Sequence, residues 1–314
     1  MPEPMISVLM SMRNGMPFVE QTVVSIIAQT FTDWEFIIVD NASTDDSVEV
    51  VERIAKADSR IRVIRNERDL GMSGGLNRGL EFCRGAWIAR MDADDVALPN
   101  RFERQLDFLE SNSDVRVTSC LAYYIDANGK RSGKTFHDLT SRDAYTRYMR
   151  EGLAMGILHS GAIIDRQLLV EVGGYRQEYF PANDTDLWGR LADREALILV
   201  QPEYLMEYRI HGGSATALAF RTSRMKYQWA RDSMRARRKG LPEPTWDEYV
   251  ASRLNAPTWR RLNRWRKTNA RLLYRQAAQN MLINRAIRAG FELAIATALQ
   301  PTYTVPRLRG QFLR

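Results

Sequence analysis

Cysteine is nearly missing from the 314 residues: Cys83 and Cys120 cannot build a disulfide framework and lack the spacing of a zinc site, which suits a reducing compartment. No uninterrupted apolar run approaches the roughly 18 residues of a membrane-spanning helix, and the N-terminus lacks a basic-then-apolar leader pattern. Neither secretion nor membrane insertion is therefore expected. Internal repeats and low-complexity tracts are also lacking. With 45% hydrophobic and 26% charged residues the chain is neither disordered nor fibrous, and it is long enough for one large domain plus an extension.

What charge there is lies unevenly. Residues 221–314 hold 21 Lys and Arg against 5 Asp and Glu, whereas residues 1–220 hold 24 against 33. An acidic body with a basic tail suggests a carboxylate-bearing site joined to a segment that meets a polyanion, either a lipid headgroup surface or nucleic acid.

The first 120 residues alternate strand-like apolar runs with helical segments: strands at 6–12, 35–40, 61–65 and 86–91, and helices entered through Pro17, the Asn41-Ala42-Ser43-Thr44 turn, residue 73 and Pro99. This is the rhythm of a mostly parallel sheet covered by helices, in which ligands bind beyond the carboxyl ends of the strands. A hairpin around Asn128-Gly129, a polar helix at 141–151, a strand at 157–164, helices at 165–171 and 184–193, and strands near 196–210 complete the body. After Gly212-Gly213 the composition turns Arg-rich, which places a domain boundary at 214/215: an α/β body over 1–214 and a basic, mainly helical extension over 215–314.

The sharpest local feature is Met91-Asp92-Ala93-Asp94-Asp95, three carboxylates in four positions after an apolar strand. Such groups repel one another, so a cation such as Mg²⁺ or Mn²⁺ bridging to phosphate oxygens is a natural partner; a solvated helix-capping turn is the competing reading. Asn183-Asp184-Thr185-Asp186 forms a second cluster at a helix start, where Asp184 could equally cap the helix. The glycines of Leu70-Gly71-Met72-Ser73-Gly74-Gly75 fit neither a dinucleotide fingerprint nor a P-loop.

These segments, in order, resemble family 2 glycosyltransferases with the GT-A fold. The resemblance runs from Ser7-Val8-Leu9-Met10 with Asn14-Gly15, through Phe36 to Asp45, Leu76-Asn77-Arg78-Gly79 and Ala89 to Asp95. It resumes at His159-Ser160, Gly173-Gly174-Tyr175, Asp184-Thr185-Asp186-Leu187-Trp188 and Tyr208-Arg209-Ile210-His211, and so covers about residues 5–214. It implies a Rossmann-like α/β sheet and inverting transfer of a sugar from a nucleotide-diphosphate donor to a hydroxyl acceptor, as in bacterial polysaccharide biosynthesis. Donor contacts are implied at Ser11, Met12, Arg13, Asp40, Arg68, Asn77, Asp92 and Ala93, with Asp94 the direct ligand of Mn²⁺ or Mg²⁺ and Asp92 and His211 beside it. Asp184 is implied as the base and Asp186 as its alternative or support. Two departures stand out. Met12-Arg13 replaces the Thr-Tyr of many relatives, and Asn183 replaces the glutamate that usually precedes the base.

The tail interleaves aromatic and basic residues from Trp259 to Lys267, and Ile283, Ile287, Phe291 and Ile295 recur at helical spacing with Arg285, Arg288 and Glu292 on another face. Such segments either pack on the parent domain with a solvated basic face or lie on an anionic membrane surface; contact with the inner face of the cytoplasmic membrane is expected, and the resemblance implies a glycan or lipid-linked acceptor. A sugar nucleotidyltransferase is the alternative enzyme class, but no lysine-rich triphosphate motif occurs near residues 11–16. A nucleic-acid binder would use the tail and leave Asp92, Asp94, Asp184 and Asp186 idle.

Overall fold

The computed structural model describes residues 3–211, 220–282 and 286–312. Its contacts divide the chain into two compact units, Met1–Leu218 with Ser223–Glu243, and Ala219–Thr222 with Pro244–Arg314. Gly212-Gly213 and the boundary expected at 214/215 lie outside the described residues, as do Ile283 and Arg285.

The first unit is built on β1 (Ile6–Met12), β2 (Trp34–Asp40), β3 (Ile61–Arg65) and β4 (Trp87–Arg90), which run parallel in the order β3-β2-β1-β4. Every residue of β1 and β2 is buried, because helices cover both sheet faces. Side chains alternate between two cores: Val8, Met10, Phe36 and Ile38 enter one, and Leu9, Ile37 and Val39 the other. α1 (Val19–Ile27), α2 (Ser47–Ala55) and α3 (Gly71–Leu80) make the crossovers. α3 lies hard against the sheet, since a Cβ on Gly79 would stand 2.4 Å from Leu9 Cδ1 and 2.8 Å from Val39 Cγ2.

Beyond β4 the sheet becomes mixed. β5 (Val96–Ala97) is followed by α4 (Arg101–Ser111), β6 (Val115–Ile125), β7 (Arg131–Lys134), α5 (Arg142–Glu151), β8 (Ile163–Asp165), α6 (Arg166–Glu171), α7 (Asn183–Ala192) and β9 (Leu197–Arg209). The order continues β4-β8-β6-β9-β5, with β8 antiparallel to both neighbours, β9 parallel to β6, and β7 paired with β6. Two details depart from the sequence expectation. The strand expected from 157 begins only at Ile163, and β5, two residues long, was not expected. α8 (Phe220–Arg237) follows; from residue 223 it is counted with the first unit.

In the second unit, α9 (Trp246–Leu254) starts at a reciprocal cap between Thr245 and Glu248, then come α10 (Thr258–Leu282), α11 (Ala286–Leu299) and α12 (Pro301–Phe312). α10 and α11 pack together, and the buried Ala270, Ala277, Ala289 and Ala296 let helices approach closely. Among the described residues no helix is long and apolar enough to cross a membrane.

Candidate active site

The carboxyl ends of β1, β2 and β4 meet because their parallel register sets Met12 beside Asp40 and Leu9 beside Arg90. A cavity of about 300 Å³ opens there. Its walls are residues 11–16 at the carboxyl end of β1, Asp92, Ala93 and Asp94 after β4, Tyr208 and His211 at the end of β9, and Phe18 and Met72.

The acidic loop is held from beneath by two buried arginines. Arg90, fully buried, donates from Nη2 to Asp92 Oδ1 at 2.5 Å and from Nη1 to the Leu9 carbonyl at 3.3 Å. Arg209, also buried, donates from Nε to the Asp94 carbonyl (2.8 Å), from Nη2 to Gln21 Oε1 (2.6 Å), and from its backbone N–H to Asp95 Oδ1 (2.9 Å). Its guanidinium stands over the Phe18 ring. Asp95 is thus a buried brace rather than a cavity residue, and burial with the charges of Asp94 and Asp92 pushes its carboxyl well up.

Asp94 faces the cavity. Its Oδ2 lies 2.9 Å from His211 Nε2, and burial, together with the Asp92 charge, raises its pKa. Among the described residues no group of three or more His, Cys, Asp or Glu is close enough to hold a metal alone. Asp94 and His211 offer one carboxylate and one imidazole, a donor pair that suits Mn²⁺ or Mg²⁺ when phosphate oxygens and water complete the shell.

A second polar cluster adjoins. Asp184, in the first turn of α7, accepts from the Thr185 N–H at 2.6 Å. Burial and the charge of Asp92 push its carboxyl up to about 6. The charges of Arg90, Asp92 and Asp184 all act on the Tyr175 phenol, so strand β4 and helix α7 share one electrostatic neighbourhood. Tyr175 is 2.9 Å from His159 Nε2, whose ring also meets Trp188, and burial keeps His159 neutral by pushing its pKa well down.

The model of glycosyl transferase family 2 matches residues 7–173. Among curated proteins, an uncharacterized glycosyltransferase of Methanocaldococcus jannaschii is 31% identical over 67% of this chain and 72% of its own length. The amylovoran biosynthesis glycosyltransferase AmsE of Erwinia amylovora is 28% identical over 65% and 76%. The chain belongs to glycosyltransferase family 2. Solved structures agree on the GT-A fold: a Pyrobaculum calidifontis mannosyltransferase in complex with GDP-Man and Mn²⁺ gives a TM-score of 0.58 at 18% identity, covering 96% of this chain and 88% of that one. S. aureus TarS with UDP-GlcNAc gives 0.57 at 15%, covering 98% and 93%.

In this glycosyltransferase the residues singled out from sequence fall into two groups. Ser11, Met12, Arg13, Asp92, Ala93, Asp94 and His211 line one cavity, Arg13 also pairing with Asp69 at 2.6 Å. Asp40, Arg68 and Asn77 are not among its lining residues. Asp40 is buried and accepts from the Ser43 N–H, bracing the turn after β2. Asn77 is engaged on both amide atoms by the Tyr175 backbone, and Gly174, at φ +65°, leaves room for it. Arg68 is exposed and makes no hydrogen bond or ion pair among the described residues. Asp186 is fully buried and bound by Arg176 and Arg190. The helix expected from residue 73 begins at Gly71; a Cβ on Gly75 would stand 2.2 Å from Ser11 Oγ, so this glycine sets how closely α3 approaches the cavity wall.

Sequence reasoning did not single out the supports. Asn41 joins Asn66 (2.8 Å) and the Gly71 carbonyl (2.8 Å), and Arg209 locks the acidic loop. A signal for Arg209 existed, since it sits two residues before His211 in Tyr208-Arg209-Ile210-His211.

Proposed function

We propose that this glycosyltransferase moves a sugar from a nucleotide-diphosphate donor to a hydroxyl of a glycan or lipid-linked acceptor, with inversion, during assembly of a cell-surface polysaccharide. The observation that carries this reading is the division of labour between the two carboxylate clusters. Asp94 borders the cavity with His211, whereas Asp184 is a raised-pKa carboxylate beside the same β4 loop.

The nucleotide would lie against residues 11–16, with Arg13 stacking on the base in place of the tyrosine common in relatives. Mn²⁺ or Mg²⁺, held by Asp94 and His211, would neutralise charge developing on the departing diphosphate. Asp92, held by Arg90, would lie nearest the donor ribose. Asp184 removes the proton from the attacking acceptor hydroxyl, and a carboxylate with a pKa of about 6 suits this task near neutrality. Single displacement opposite the leaving group inverts the anomeric centre. Asp186, with both oxygens engaged by arginines, supports the helix rather than serving as the base. As part of the same proposal, the basic C-terminal extension meets an anionic membrane surface on the cytoplasmic side.

Purified protein screened against a panel of nucleotide sugars with Mn²⁺ or Mg²⁺ tests this reading, with the anomeric configuration of the product read by NMR. A product that retains the donor configuration would overturn the single displacement, and release of pyrophosphate from a nucleoside triphosphate and a sugar 1-phosphate, supplied in a separate arm, would assign nucleotidyl transfer instead.

A further inference from the structure

The second unit carries apolar side chains where its own packing does not need them. Trp259, Leu262 and Trp265, at i, i+3 and i+6 on α10, are 64%, 63% and 56% exposed. On α11 the exposed residues Ile287, Phe291, Ala294 and Ala298 follow i, i+4, i+7, i+11, with Ile287 at 94%. Glu292, on the polar face of the expected pattern, is instead buried and paired with Arg288 at 3.1 Å. Exposed apolar stripes of this kind mark interaction surfaces.

The charge around them is equally one-sided. Between Glu248 and Glu292 the sequence holds ten Lys and Arg and no acidic residue. Arg260, Arg261, Arg266 and Lys267 are exposed around the α10 stripe, and the Arg260 guanidinium lies 5.1 Å from the Trp259 ring centroid. A solvated salt-bridged face would need acids that this stretch lacks.

We infer that Trp259, Leu262 and Trp265 on α10, with Ile287 and Phe291 on α11, insert into the headgroup boundary of an anionic bilayer while the intervening arginines bind lipid phosphates. This rests on the reading that the extension meets a membrane, and names the residues that do so. Tryptophan prefers that boundary, and basic residues beside an apolar stripe supply the second of the two signals stable anchoring needs. Two other occupants fit less well. Single-stranded nucleic acid would stack on the tryptophans but leave Leu262 and Ile287 in water. A second copy would bring two acid-free cationic stretches together.

The test uses the full chain and flotation with phosphatidylcholine vesicles, with and without phosphatidylglycerol. The wild type should float with the anionic vesicles only, less so as salt rises. The triple variant Trp259→Ser, Leu262→Ser, Trp265→Ser should lose at least tenfold in vesicle affinity, and Ile287→Ser with Phe291→Ser should lose several-fold. Both should keep wild-type circular dichroism and nucleotide-sugar binding, because these side chains are already exposed. A wild type that ignores anionic vesicles at low salt sinks the membrane reading itself. Undiminished flotation of the folded triple variant keeps the membrane but overturns this face. Binding to single-stranded DNA, or dimerisation, that depends on the same residues without flotation assigns the other occupants.

Discussion

At Asp184 two opposing influences meet. Burial and the charge of Asp92 raise its pKa to about 6, against the Thr185 N–H and hydroxyl that stabilise its ionised form. A base must be ionised, so kcat should climb with pH through about 6 and then level. Asp184→Asn should leave cation-dependent donor binding intact while lowering kcat roughly 10²-fold or more. Near-normal transfer by that folded variant would remove Asp184 as the base. Stability moves the other way. The folded pKa lies above the ordinary 3.8, so the contribution of this group is fully present below about pH 4 and is lost as pH rises through about 6. Asp184→Asn should therefore raise Tm over the wild type at pH 8 and change it little at pH 4, which melting curves at both values check. Asp94 makes the complementary residue-scale case, because its proposed role is charge toward the donor. Asp94→Asn and EDTA should each weaken nucleotide-sugar binding sharply in titration calorimetry. Equal affinity with and without EDTA in the wild type would rule out the cation.

Among the elements, α7 shows how the carboxylate proposed as the base is held still. Arg190 ties Asp186 to the Val172 and Gly174 carbonyls at 2.7 Å each, and Arg176 ties it to Glu243, so the turn bearing Asp184 is fastened to the loop bearing Tyr175. Asp186→Asn would remove the one carboxylate that Arg176, Arg190 and Arg237 all share, leaving Glu243 to pair with Arg176 and Arg237 and Arg190 without an anion. Denaturant unfolding should show a loss of about 3–5 kcal/mol, the scale of breaking a buried ion pair, while kcat per folded molecule falls less than in Asp184→Asn. A larger fall in kcat with unchanged stability would make Asp186 the base. This network also shows what the sequence could not reveal. β1 to β4, with α1, α2 and α4, were legible because β1 and β2 are continuous apolar runs and those helices start at a proline or a polar turn, and the aspartates stood out because carboxylates cluster at strand ends. The supports were hidden by distance along the chain: Arg209 reaches Asp94 across 115 residues, and Glu243 reaches Arg176 across 67. Asn77 and Asp40, which the resemblance implies as donor contacts, also brace the backbone, a role that no sequence pattern announced. β5 is too short for any periodicity to announce it.

For the whole molecule, the question is where the catalytic body ends. Composition changes after residue 214, but packing continues beyond it. Tyr179 stacks on Trp229 with ring centroids 3.9 Å apart, donates to Glu243 at 2.9 Å and lies 3.0 Å from the Ser233 hydroxyl. Arg237 and Arg238 both reach Asp193, at the end of α7. Trp229, Ala230 and Met234 are buried, and Met234 packs where a side chain on Gly189 of α7 would stand. A chain ended after residue 214 would strip these partners from Tyr179, Asp193 and the Asp186 network together. A chain ended after Glu243 keeps all of them. We therefore expect the 1–243 protein to be soluble and monomeric, to melt cooperatively, and to bind nucleotide sugar with near wild-type affinity in the presence of Mn²⁺. The 1–214 protein should aggregate or melt many degrees lower, because it exposes apolar surface and leaves buried charges without partners. Differential scanning calorimetry and size-exclusion chromatography on the two truncations decide it. Equal Tm for both would mean that residues 223–243 only lie on the surface of the body, and that the composition break is its true edge.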